Sequence, residues 1–386
     1  MKKIATLILF FVATFALRAE VIPGAWQVDQ YLPLLVGKKV AVCGNQTSLV
    51  GSTHLVDTLL SRGVQVEKIF CPEHGFRGNK EAGAHIASST DPKAGLPIIS
   101  LYGKNRKPQP EQMKGLDVVV FDLQDVGCRF YTYISTLHYV MEAAAEQGVS
   151  VVVLDRPNPN VYFVDGPVLD TAYRSFVGMH PVPVVYGMTI GEYAKMINGE
   201  RWLAHSAACE LTVITLDNYT RDTRYELPVA PSPNLPNAEA IYLYPSLCFF
   251  EGTNVSVGRG TSHPFQVYGA PGQKKGDYVF TPVPIPGASE NPPCKNQKCV
   301  GFNLYDYAHG KLNVGNALNL SYLITAYEGT PDKNTFFTNA SFFDKLAGTD
   351  QLRKQIIAGM SEEEIRDSWR EGLERFERVR VKYLLY

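Results

Sequence analysis

The sequence is poor in charge. Only 19% of its 386 residues are Asp, Glu, Lys or Arg, against about a quarter in an average globular chain. Neither sign dominates, and the formal net charge is -1. A nucleic-acid binder shows a basic footprint, and this chain has none. After the first residues no apolar stretch reaches the ~18 residues that read as a membrane-spanning helix. There is no GxGxxG fingerprint for a dinucleotide, and no CxxC or Cys/His cluster with zinc spacing. Neither a cofactor nor a metal is therefore expected. There is no internal repeat and no low-complexity segment. A hydrophobic fraction of 45% with ordinary Gly and Pro usage excludes disorder, a coiled coil and a collagen-like chain. The length predicts two or three domains at roughly 150 residues each.

Cysteine is scarce and odd in number. The residues are Cys43, Cys71, Cys128, Cys209, Cys248, Cys294 and Cys299. In an exported chain an odd count leaves at least one free thiol. Cys43 and Cys71 sit in apolar runs and read as buried thiols. Cys294 and Cys299 share a Pro- and Lys-rich loop, where they could pair or stay free.

What is present begins with a leader. Lys2 and Lys3 precede a short apolar run from Ile4 to Leu17, and Ala16 and Ala19 offer cleavage sites. This pattern predicts a secretory signal peptide over 1–19, and so an exported, periplasmic or secreted protein. Cutting after Ala19 leaves 34 basic against 38 acidic residues, a mildly acidic chain.

From Lys38 to Val213, short β-branched runs alternate with amphipathic segments. The runs are Lys39–Cys43, Val66–Cys71, Pro97–Tyr102, Asp117–Phe121 and Ser150–Leu154. Continuous apolar strands separated by helices predict a mostly parallel sheet covered on both faces. One helix places Ile134, Leu137, His138, Met141 and Ala145 on a stripe and stops at Gly148. Another starts at Thr189, where Thr189 and Glu192 form a capping box. The texture changes near Pro228. Pro-Ser-Pro-Asn-Leu-Pro at 231–236 can be neither helix nor central strand. A late helix begins at a second capping box, Ser361 with Glu364, and carries Ile365, Trp369, Leu373 and Phe376 on one face. The expected fold class is α/β: a Rossmann-like, mostly parallel domain over 20–235, then a smaller α+β domain over 236–386.

In open α/β sheets, ligands bind beyond the carboxyl ends of the strands. Polar residues follow nearly every strand here. Asn45, Gln46 and Thr47 follow the first. Glu73, His74 and Arg77 follow the second. Asp122, Gln124, Asp125 and Arg129 follow Phe121, and Asp155, Arg156 and Asn158 follow Leu154. Asp and Asn also favour turns, and Asp122 or Asp125 could cap a helix. Glu73 is the sharpest single residue. It ends an apolar strand, and a carboxyl in a partly apolar pocket has a raised pKa and can act as a general acid. Glu251 follows two aromatics and precedes Gly258-Arg259-Gly260, where Arg259 faces either an anionic ligand or a nearby carboxylate.

Several of these segments resemble one family. They are Gly44-Asn-Gln-Thr47, Pro72-Glu-His-Gly75, Leu123-Gln-Asp-Val-Gly127, Arg129-Phe-Tyr-Thr-Tyr-Ile-Ser135 and Asp155-Arg-Pro-Asn-Pro159. Gly187-Met-Thr-Ile-Gly-Glu192, Tyr244-Pro245, Phe250-Glu-Gly-Thr-Asn254, Ser256-Val-Gly-Arg-Gly-Thr261 and the closing Lys382-Tyr-Leu-Leu-Tyr386 complete the series. The chain resembles the exo-β-N-acetylmuramidase NamZ family, glycoside hydrolase family 171, long filed as a domain of unknown function. One departure is Tyr186, where the family pattern has His, so a role carried by that His is in question here.

The resemblance implies an active site in the cleft between a Rossmann-like domain and a smaller C-terminal domain. It also implies release of N-acetylmuramic acid from the non-reducing end of peptidoglycan fragments. Glycoside hydrolysis commonly needs two carboxyl groups flanking the bond. Glu73 fits the acid, and Asp125 or Glu251 could supply the second. The lactyl carboxylate of the sugar suits an arginine fork, for which Arg77, Arg129, Arg156 and Arg259 are the candidates. Asn45, Gln46, His74, Asp155 and Asn158 are further candidate substrate contacts, and Tyr131 and Tyr133 could stack on a sugar face. Two other classes stay open on the residues alone. One is a periplasmic binding protein closing by hinge bending, although the second half lacks a second βα series. The other is a phosphohydrolase using Asp122, Asp125 and Asp155 around magnesium.

Overall fold

The computed structural model describes residues 20–73, 75–76, 89–309 and 317–386. The predicted leader, His74 and Arg77 lie outside them. The first half contains strands β1 (Lys39–Gly44), β2 (Leu49–Val50), β3 (Thr53–His54), β4 (Gln65–Cys71), β5 (Ser89–Thr90), β6 (Pro97–Ser100), β7 (Val118–Asp122), β8 (Ser150–Leu154) and β9 (Leu211–Ile214). Its helices are α1 (Val28–Leu35), α2 (Leu55–Ser61), α3 (Pro110–Met113), α4 (Tyr133–Gln147) and α5 (Ile190–Gly199). Seven strands form one sheet in the order β5-β6-β4-β1-β7-β8-β9. All neighbours are parallel except β5 with β6. Every residue of β7 is buried, as is every residue of β8 after its first. Helices on both faces require strands that are apolar throughout, which is why these runs do not alternate. The chain steps from β1 outward through β4 to β6, then crosses to β7 on the other side of β1. The order therefore reverses between β1 and β7, where an open sheet of this type normally leaves a crevice.

The helices follow their local signals. α4 ends at Gly148, which takes the left-handed conformation (φ 65°) that a C-cap needs. It buries more than the predicted stripe, because Tyr133, Ser135 and Thr136 also lie inside. Ser135 Oγ donates to the Phe176 carbonyl at 2.7 Å, and His138 Nδ1 lies 2.9 Å from His180 Nε2. α5 begins with the Thr189–Glu192 capping box. Residues 231–236 form an irregular turn with one bridge, Ser232 to Leu235.

The second half adds a three-stranded antiparallel sheet in which β12 (Cys299–Asn303) lies between β10 (Val267–Ala270) and β11 (Tyr278–Phe280). Its helices are α6 (Ala238–Leu247), α7 (Tyr305–His309), α8 (Ser321–Gly329), α9 (Ala340–Ala347), α10 (Gln351–Ile357) and α11 (Glu362–Arg380). α11 opens with the expected Ser361–Glu364 box. The two halves share one core. Phe130, just ahead of α4, packs edge-on against Tyr244 of α6 and Phe249 beyond it. Cys294 and Cys299 are free thiols packed into one small apolar cluster. No helix among the described residues is long and apolar enough to cross a membrane.

Candidate active site

The crevice that topology would leave between β1 and β7 is filled by the protein's own polar side chains. Ser48 Oγ donates to the Asp122 carbonyl, and the Gln124 amide donates to Thr47 Oγ1 at 3.2 Å. Arg156 clamps the Asp122 carboxylate with two bonds of 2.5 and 2.9 Å, and both side chains are buried. Asn45 accepts from the Thr47 amide and hydroxyl and donates to Tyr133 Oη at 2.7 Å. Gln46 reaches the carbonyls of Ala230 and Pro231. Asn158 bridges the Asn160 amide and the Met188 carbonyl. It also lies so close to Gly127 (φ 75°) that a Cβ there would stand 2.3 Å from its Oδ1. These contacts hold the strand-end loops to one another.

Asp155 is equally committed. It accepts from the Arg156 and Gly191 amides and from the hydroxyls of Thr189 and Tyr386. Burial pushes its carboxyl up to about 7, against the pull of those donors. Asp125 is also buried. One oxygen accepts from Tyr186 Oη and from the Gly127 amide, while the other has no partner among the described residues. Burial pushes this carboxyl up to about 6. Tyr186, where a His was expected, thus sets its hydroxyl on Asp125. The three aspartates that might have gathered around a metal are engaged by different partners. Arg129 is fully buried. Its guanidinium donates to the carbonyls of Pro167, Val182 and Leu346 at 2.7–2.9 Å, and burial lowers its pKa to about 9. Of the four arginines considered for an anionic ligand, Arg129 and Arg156 are therefore spent inside the protein.

The open cleft lies to one side, between the loops after β4 and β6 and the second half. Its volume is about 690 Å³, within the range of small-ligand sites. Glu73 stands on its wall at the end of β4. Thr132 Oγ1 donates to Glu73 Oε2 at 3.3 Å, and the Tyr102 hydroxyl donates to the same carboxylate. Burial, and then the Glu73 charge, push the Tyr102 hydroxyl well above its ordinary pKa. A tyrosine held neutral in this way remains a donor. Tyr131 and Tyr133 form the floor edge-on, 4.8 Å apart. Tyr131 Oη also fixes the 231–236 turn through the Pro231 carbonyl at 2.9 Å, and that turn brings Ser232 and Asn234 to the cleft.

The second half supplies Glu251 and Arg259, joined at 2.5 Å and each about one-fifth exposed. Burial opposes the charge on Arg259, but Glu251 holds the guanidinium above its ordinary pKa. The sequence-derived residues gathered here are thus Glu73, Tyr131, Tyr133, Glu251 and Arg259. Asn45, Gln46, Asp125, Arg129, Asp155, Arg156 and Asn158 lie behind or beside the cleft. The sequence reading missed Tyr102, Arg106, Phe176 and Lys345, all on the cleft wall. Tyr102 and Arg106 follow β6, so the strand-end rule would have found them had it been applied to that strand. Lys345 sits on an ordinary amphipathic helix and gave no signal.

Two family models match the chain, described as "Exo-beta-N-acetylmuramidase NamZ, N-terminal" over residues 40–239 and "Exo-beta-N-acetylmuramidase NamZ, C-terminal" over 242–386. A curated relative, the peptidoglycan beta-N-acetylmuramidase NamZ of Bacillus subtilis (strain 168), is 40% identical over 380 residues. The match covers 93% of this chain and 89% of that protein. Two crystal structures of DUF1343 family proteins from Bacteroides fragilis NCTC 9343 share the fold. One has a TM-score of 0.86 at 48% identity, the other 0.77 at 29%, and each match covers 95% of this chain and 99% of the other. With both halves of the chain matched in order, it belongs to the exo-β-N-acetylmuramidase NamZ family.

Proposed function

We propose that this protein is an exported, exo-acting glycosidase that releases N-acetylmuramic acid from the non-reducing end of peptidoglycan-derived saccharides. The observation that carries the reading is the pair of carboxyl groups on one cleft, each with a different neighbourhood. Glu73 receives two hydroxyl donors, from Tyr102 and Thr132. Glu251 is tied to a guanidinium. Two carboxyls in unlike surroundings are the pattern from which acid and base roles are assigned. Glu73 protonates the departing glycosidic oxygen. Glu251, joined to Arg259, serves the positive charge that develops at the anomeric carbon. Tyr131, buried but lining the cleft, gives the sugar an apolar wall.

The test is mass analysis of the products from a disaccharide bearing N-acetylmuramic acid at its non-reducing end. Free N-acetylmuramic acid is expected. A melting shift without released sugar would make the protein a binder and end the glycosidase reading. Export rests on the Lys2–Ala19 pattern. Fractionation with sequencing of the mature N-terminus should find a processed chain starting near Glu20 outside the cytoplasm.

A further inference from the structure

Among the described residues, three cationic side chains reach the cleft, each in a different state. Arg259 is spent on Glu251. Lys345 stands exposed on α9, a compact and strongly hydrated charge. Arg106 is exposed like Lys345 but is held in place, and it has no anionic partner among the described residues. Its guanidinium lies over the Phe176 ring, 4.4 Å from the centroid. No acceptor among the described residues takes its N–H groups. Phe176 is itself fixed, since its carbonyl accepts from Ser135 and its ring stacks on Tyr139. The loop carrying Arg106 is pinned on either side. Asn105 donates to the Ser100 carbonyl at 3.1 Å, and Lys107 pairs with Glu142 and Glu146 of α4 at 2.8 and 2.7 Å. A guanidinium stacked on an aromatic ring keeps its planar fork of donors free at the edge, which is the geometry that grips a carboxylate with two bonds.

We propose that Arg106 binds the lactyl carboxylate of the terminal N-acetylmuramic acid ring and sets the preference for that sugar over N-acetylglucosamine. The assignment rests on the glycosidase reading above and names the residue that gives it specificity. The lactyl ether is the only difference between the two sugars, so discrimination between them must come from that group. It hangs from C3 of the ring whose C1 bond is cut. A group that reads the lactyl ether and an acid that protonates at C1 must therefore stand a fixed distance apart. One loop supplies both constraints. Tyr102, whose hydroxyl sits on Glu73, lies four residues before Arg106, and both charged groups act on that same hydroxyl.

The experiment compares the wild type with Arg106→Gln and Arg106→Lys. Binding of N-acetylmuramic acid, its lactyl amide, N-acetylglucosamine and N-acetylmuramoyl-L-alanine is measured by calorimetry. Hydrolysis is measured as kcat/KM on the nitrophenyl glycosides of the first and third sugars. The wild type should favour N-acetylmuramic acid over its amide and over N-acetylglucosamine by roughly tenfold to a hundredfold. Arg106→Gln should erase that margin by lowering the N-acetylmuramic acid values far more than the N-acetylglucosamine values, while Arg106→Lys should restore part of it. Tighter binding of N-acetylmuramoyl-L-alanine than of the bare sugar would show that a peptide carboxylate is read instead, and would overturn the assignment. So would a preference that survives Arg106→Gln, or equal losses on both sugars, which a merely structural arginine would give. An Arg106-dependent preference in binding without hydrolysis of either glycoside would refute the glycosidase reading and leave the carboxylate assignment standing. Absence of both binding and hydrolysis would refute both.

Discussion

At the scale of single residues, the site turns on how each carboxyl is surrounded. Glu73 is the proposed acid, and Glu73→Gln keeps its shape while removing the proton. General acid catalysis contributes typically 10²–10⁴-fold, so kcat on the natural disaccharide should fall by about that factor with little change in KM. A nitrophenyl glycoside, whose leaving group hardly needs protonation, should lose much less. More than about a tenth of wild-type activity remaining on the disaccharide would remove Glu73 from the role.

Asp125 offers a different test, because its carboxyl is raised from 3.8 to about 6 by burial. A folded state that favours the protonated form gains stability at low pH. That contribution is complete below about pH 3.8 and fades as pH climbs through about 6. Asp125→Asn cannot ionise, so it should gain on the wild type as pH rises from 4 to 7. The gain is at most about 3 kcal/mol, since each pKa unit is worth ~1.4 kcal/mol. Denaturant titrations at pH 4.5, 5.5 and 7 would read it, and parallel curves would mean that Asp125 titrates normally.

Among the elements, α9 shows how a residue far from the chemistry can shape the cleft. Arg129, ahead of α4, caps the C-terminal end of α9 through the Leu346 carbonyl and also holds the carbonyls of Pro167 and Val182. A cation is favoured at that end of a helix. Gly348 (φ 73°) lets it approach, because a Cβ there would stand 2.7 Å from the guanidinium. Arg129→Met should strand the Pro167 and Leu346 carbonyls at about 1–3 kcal/mol each, while Val182 keeps the Leu169 amide as a donor. It should lower Tm and speed amide exchange across 340–347. It should also raise KM, because α9 carries Lys345 and Phe342 to the cleft.

The same arginine shows what the sequence withheld. Strands β1, β4, β7 and β8, the α4 stripe and both capping boxes were legible, because each is a local pattern of burial or capping. Glu73 was legible as a carboxyl ending an apolar strand. Arg129, Asp155 and Arg156 looked like ligand contacts because a polar residue after a strand reads the same whether it faces a cleft or a neighbouring loop. Only tertiary packing decides between the two. Here the loops pack on one another and displace the cleft toward β4 and β6.

Across the whole molecule, the C-terminal segment returns to the first half. Tyr386 donates to Asp155 and accepts from the Leu216 amide, both at 2.7 Å, and the Leu385 amide reaches Glu192. Tyr386→Phe removes one hydroxyl from this junction. It should cost roughly 1–3 kcal/mol, read as a lower Tm, with kcat on the disaccharide unchanged because the junction lies outside the cleft. With one core running through both halves, unfolding should remain a single transition, and two separated transitions would contradict the shared core. The junction also makes the first half lean on the second. Domains usually fold as they emerge, the N-terminal one first. Here Asp155 takes one of its donors from a residue 231 positions further along the chain. A cut between the two should therefore leave the first half more open to protease than in the intact chain. If the protein leaves the cytoplasm as proposed, a first half that waits on the second for part of its bonding is easier for the export machinery to thread.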